Sequence, residues 1–155
     1  MKKLLMKLFY PVLLIMISFL TGFAQNQKYI HQTFQLDTAT TVRLDLFGEF
    51  EIESWVGDAV MIETKASLYD ASEGIFKFVI EQGRYEVEAQ LEGEILTLVS
   101  KDKIRRPIGT SKGYCKEEVT MRVFIPEKMK STGPNTWTLP ESERKKEFST
   151  KSGGR

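Results

Sequence analysis

The chain has 155 residues, of which 28% are charged and 41% hydrophobic, an ordinary globular composition. Setting aside the first 24 residues leaves enough chain for one domain with a real core and too little for two. Basic and acidic side chains nearly balance, 22 against 21, and one histidine and one cysteine stand in the whole chain. That excludes the concentrated basic surplus of a nucleic-acid binder and most metal sites.

Residues 1–24 read as a leader. Lys2, Lys3 and Lys7 form a positive head, Leu8 to Leu20 an apolar stretch, and Gly22 and Ala24 a small-residue cleavage site before Gln25. The apolar stretch is shorter than the roughly 20 residues that cross a bilayer. A cleaved signal peptide is the expectation, with an uncleaved anchor as the alternative. The chain is therefore expected to be exported, to the periplasm or the cell surface. No cysteine stands at the cleavage site, which argues against a lipoprotein. In an oxidising compartment the single Cys115 cannot staple its own chain. It reads as a buried or half-buried residue at the start of a strand, or else as an intermolecular or reactive thiol.

After the leader the hydrophobic period is two, the signature of strands with one buried face. Tyr29 to Leu36 is a possible strand at the N-terminal edge. Val42, Leu44 and Leu46 form one alternating set, Phe50 and Ile52 a second, and Val60, Ile62, Thr64, Ala66 and Leu68 a third. Gly48 and the Val56-Gly57-Asp58 step separate them, predicting three short strands joined by tight turns. From Asp70 to Gly83 the spacing changes. Asp70 and Glu73 suggest a capping box, Ile75, Phe76, Val79 and Ile80 fall on one helical face, and Gly83 stands where a C-terminal cap belongs. The competing reading is a strand, because Phe76, Phe78 and Ile80 also alternate.

Two more strands are expected, with Tyr85, Val87 and Ala89 on one face of the first. The second, Ile95 to Val99, is apolar on both faces and so central. A basic loop from Lys101 to Lys116 follows, with Lys103, Arg105, Arg106 and Lys112 inside it. The last strand sets Val119, Met121, Val123 and Ile125 inward and ends at Pro126. Residues 131–155 lack periodicity and are rich in Ser, Thr, Gly, Pro and charge, predicting a disordered polar tail after a domain of residues 25–130. Trp137 and Leu139 are its two docking candidates.

Chemistry is sparse. Glu49, Glu51 and Glu53 on one strand and Glu86 and Glu88 on another read as solvated faces rather than a glycosidase pair, which needs one acid held in a pocket. His31 has no neighbouring ligands. No nucleophile signature or phosphate-cradling glycine loop occurs. No catalytic residue, metal or cofactor is expected. The candidate ligand contacts are Trp55, placed to stack on a sugar ring or to close the core, and Lys103, Arg105 and Arg106, placed to meet lipid phosphates or acidic glycans.

The run from Val42 to Ala66, with Gly48, Ile52, Trp55, Gly57, Asp58, Val60 and Ile62 at its marked positions, resembles the opening of bacterial adhesin-like domains of unknown function. Residues 83–101 and 117–129 continue the resemblance, which spans about residues 33–129. It implies an exported, mainly β, antiparallel or solenoid-like coiled sheet with one short helix and no catalytic residues. It also implies a short or truncated member, whose unpaired strand edge would favour self-association. The expected function is a non-enzymatic envelope module that binds a glycan, lipid or protein. A periplasmic accessory module binding lipid or a partner protein is the alternative.

Overall fold

The computed structural model describes residues 26–144; the leader reading and the end of the tail lie outside the described residues. The protein is mainly β, with mixed sheets that do not close into a barrel. Its elements in chain order are β1 (Asn26–Gln35), β2 (Thr41–Asp45), β3 (Phe50–Trp55), β4 (Ala59–Tyr69), α1 (Glu73–Glu81), β5 (Val87–Glu92), β6 (Ile95–Ser100), β7 (Gly109–Thr110), β8 (Gly113–Tyr114), β9 (Lys116–Pro126), β10 (Lys130–Gly133) and β11 (Thr136–Thr138). One sheet runs β1-β4-β9-β3 and the other β10-β11-β2-β6-β5, while β7 and β8 form a separate small hairpin.

The alternation that marked the strands also fills the core. Val42 and Leu44 of β2, Leu96 and Leu98 of β6, Val60 and Ile62 of β4 and Val123 and Ile125 of β9 join in one buried cluster between the sheets. The two 11-residue strands β4 and β9 lie side by side in the middle of their sheet, antiparallel, from Met61 opposite Phe124 to Tyr69 opposite Lys116. β6 lies between β2 and β5, the central place that its two apolar faces require. On one flank Gln32 of β1 clasps the facing sheet. Its side-chain amide donates to the Val87 carbonyl (2.9 Å) and accepts from the Val87 amide (2.8 Å), much as another strand would.

The hydrophobic pattern leaves strand neighbours open, and the pairing is as follows. β2, β3 and β4 are not successive partners in one sheet. Gly48, at φ 94°, turns the chain out of the β2 sheet into the other, where β3 pairs with β9 and not with β4. Nor is the sheet purely antiparallel, because β2 pairs with β6 and β3 with β9 in parallel. The physical reason is that alternation reports which face is buried and not which strand lies alongside. β3 also carries less buried apolar surface than expected, with Ile52 39% exposed, as suits an edge strand.

α1 forms within the predicted segment, but its N-cap is Ser72. The Ser72 hydroxyl accepts from the Ile75 amide at 3.3 Å, while Asp70 adopts a left-handed φ of 61° outside the helix. Phe76 and Val79 turn inward and join Ala66, Leu68 and Tyr85 in a second buried cluster, leaving Phe78 exposed. The helix ends as expected. Gly83, at φ 71°, donates to Ile80, and Arg84 donates to Val79, which together close a Schellman motif.

Structure also continues beyond residue 130, against the expectation of a disordered tail from 131. β10 and β11 form a hairpin over Pro134 and Asn135, and β11 pairs antiparallel with β2. Leu139 is buried in the core and Trp137 packs against it. This segment is too polar to show a hydrophobic period of its own. It is ordered by the open edge of β2, which the Leu139 amide also ties down by donating to Thr40 (2.8 Å).

Candidate functional site

Four residues were expected to touch ligand, and the structure separates them. Trp55 ends β3, opposite Pro126, whereas Phe47, which precedes β3, touches Arg105 of the basic loop. One length of β3, about 17–20 Å at the usual rise, lies between the two regions. Trp55 is half-buried. Its indole lies across Gly57 and its Nε1 donates to the Ala59 carbonyl at 3.0 Å, so the ring spans the β3–β4 turn. A β-carbon at Gly57 would overlap the indole. Gly57→Ala should therefore expel the ring and destabilise the fold by about 1–3 kcal/mol. In a Trp137→Phe background the check is a lower melting temperature together with a red shift of the remaining tryptophan emission.

The basic loop is less cationic than its composition. Lys101 pairs with Glu86 (3.0 Å), Lys103 with Asp45 (3.1 Å) and Lys116 with Glu118 (2.6 Å). The Arg105 guanidinium is turned inward, 5.0 Å from the Phe47 ring centroid and 5.4 Å from that of Tyr85. Desolvated cation–aromatic contacts of this kind are worth up to about 2 kcal/mol. Burial pushes the Arg105 pKa down, against the attraction of Glu117. Of the six cations counted in the loop, Arg105, Arg106 and Lys112 have no ion-pair partner among the described residues, and of these Arg105 is the one turned onto the aromatic rings.

Beneath the loop lies a network that sequence reasoning did not single out. Arg84 follows the helix-ending Gly83, and Glu117 is the second residue of β9. The Arg84 guanidinium grips both Glu117 oxygens, at 2.8 Å from Nε and 2.9 Å from Nη2. Its Nη1 reaches Asp102 at 3.2 Å, and its Nη2 also donates to the Arg106 carbonyl at 2.8 Å. The other Asp102 oxygen accepts from the backbone amides of Ile104 (3.2 Å) and Arg105 (2.9 Å). That carboxylate holds the loop in shape, including the left-handed Arg105 at φ 34°. The Glu117 hydrogen bonds raise the Arg84 pKa further. Burial alone would push Glu117 up, but Arg84's hydrogen bonds and the charges of Arg84 and Arg105 hold its carboxyl below the usual range. Tyr85 is 1% exposed, and its hydroxyl, close to Glu117, makes no well-formed hydrogen bond. Burial, and then Glu117, push its pKa well up.

Two arginines and two carboxylates make this cluster self-neutralising, and the Arg84 donors are spent on the fold. The arrangement fastens three distant pieces of chain together: the end of α1, the basic loop and the start of β9. Beside it is an open recess of about 340 Å³, lined by Phe78, Val79, Gln82, Arg84, Lys101 and Asp102. A second recess of about 450 Å³ lies where β3 begins against β9, between Glu49, Phe50 and Glu51 on one side and Val119 to Arg122 on the other. Among the described residues no group of three or more His, Cys, Asp or Glu is placed to hold a metal ion. Cys115 is half-buried against the helix cluster, with its thiol 3.7 Å from the Asp70 carbonyl. Comparison with protein-family models, curated proteins and solved structures finds no match for this chain.

Proposed function

We propose that this chain is an exported, non-enzymatic module of a bacterial cell envelope, adhesin-like in build, that binds through its sheet faces and loops. The observation that carries the reading is the path of the chain between the two sheets. It passes from β2 in one sheet to β3 in the other, and later from β6 in the first to β9 in the second, with β6 parallel to β2 and β9 parallel to β3. The two passes run in the same sense, one beside the other. These two parallel pairings are what supports the adhesin-like reading. The unpaired cations Arg106 and Lys112, on a loop fastened by Arg84 and Glu117, are the contacts best placed for an anionic glycan or lipid headgroup.

Brief trypsin treatment of intact native cells tests the location this function requires, with the protein followed by immunoblot beside a periplasmic control. Cleavage with the control intact is the expected result and would place the protein at the surface. Full protection would overturn the adhesin-like reading in favour of a periplasmic module serving a lipid or partner protein.

A further inference from the structure

Each sheet ends in two edge strands, and an edge left open is a template for another strand. Three of the four are blunted in recognisable ways. β3 is six residues long and carries Glu51 and Glu53; β5 is six residues long and carries Glu88 and Glu92. β10 is four residues long and irregular between Ser131 and Gly133. β1 has none of these devices. It runs for ten residues, NQKYIHQTFQ, without an acid, proline or glycine, and Lys28 is its single lysine or arginine. Its register with β4 is unbroken from Asn26 opposite Leu68 to Gln35 opposite Ala59. Among the described residues nothing pairs with its outer side.

We infer that the outer edge of β1 is the interface with a second copy of this chain, joined antiparallel about a two-fold axis to form one continuous eight-stranded sheet. The strand is complementary to itself. With the axis through Ile30 and normal to the sheet, Tyr29 faces His31 of the partner subunit, Lys28 faces Gln32 of the partner subunit, and the two lysines avoid each other. Within one chain the Tyr29 and His31 rings already stack, 6.5 Å apart and 13° from parallel. The two-fold sets that pair beside its copy as a two-by-two block of rings on the open face, since directly opposed side chains in antiparallel strands lie about 5 Å apart. An edge bearing one cation and no anion carries little charge pattern with which to select an unrelated strand, whereas its own sequence pairs without conflict. An eight-stranded open sheet is within the ordinary range.

The test is the mass in solution of the full chain as its host processes it, measured by sedimentation and light scattering over a range of concentrations. A reducing agent is present throughout so that Cys115 cannot link copies. The wild type is expected at twice the chain mass. Tyr29→Lys combined with His31→Lys places the customary edge lysines on two exposed positions, 49% exposed at the Tyr29 residue and 66% at the His31 side chain. This variant should keep the wild-type circular dichroism and sediment at half the mass. Thr33→Lys, a single change on the same strand, is the second variant and should also weaken the dimer. A wild type that remains monomeric throughout, or a dimer that persists in the folded lysine variants, would overturn the proposal. Persistence would assign the association to another part of the chain.

Discussion

Replacing Arg84 with methionine is expected to destabilise the protein by about 3–5 kcal/mol, the usual effect of removing one partner from a buried ion pair. The Arg84 and Glu117 side chains are 11% and 19% exposed, so Glu117 would keep its charge with little water to solvate it. The double variant Arg84→Met/Glu117→Leu removes the stranded charge and should recover most of the loss. Buried pairs replaced by apolar groups of similar size are often neutral. Chemical unfolding of the wild type, both single variants and the double variant checks this as a thermodynamic cycle. A double variant no better than Arg84→Met would show that the network acts through packing rather than charge.

The same network sets an acid limit. The Glu117 carboxyl is held below its ordinary pKa in the folded chain, and so is that of Asp102, where the amides of Arg105 and Ile104 outweigh burial. A group with a depressed folded pKa lends stability that is present above its unfolded value, about 4, and is lost as the pH falls through the folded value. Wild-type stability should therefore decline below about pH 4. The Arg84→Met/Glu117→Leu variant should show a shallower decline, readable from unfolding midpoints across that range.

Much of the buried face of β2, β4 and β9 was legible from period two alone. Val42 and Leu44, the set from Val60 to Leu68, and the set from Val119 to Ile125 lie as their alternation implies. Pairing was not legible. β3 lies beside β9, with Phe50 opposite Met121, and no local pattern encodes a partner so far along the chain. The basic loop shows the same limit in charge. Its lysines could be counted, but Asp45 and Glu86, which neutralise two of them, are brought to it by other elements. Arg84 and Glu117 could not be singled out, because a salt bridge across 33 positions leaves no periodic trace. The one signal that pointed toward them was Gly83, whose predicted role as a helix stop fixes the direction in which Arg84 leaves α1.

Leu98→Ala is expected to be comparably severe, at about 3–5 kcal/mol. Leu98 is fully buried on β6, opposite Leu44 of β2 and Ala89 of β5, and belongs to the cluster that joins both sheets. Strands hold it on both sides, so the surroundings cannot collapse into the space and the cavity persists. For a domain of this size the melting temperature should fall by about 10–20 °C. Leu68→Ala provides the contrast. Leu68 is also fully buried, but in the second cluster, beneath α1, a nine-residue helix that can settle inward. Partial relaxation places the expected effect nearer the lower end of the range for such truncations, about 2–3 kcal/mol. The difference between the two variants measures how rigidly the sheets are braced relative to the helix. Equal losses would mean that α1 is held as firmly as a strand, with the Arg84 network below it as the brace.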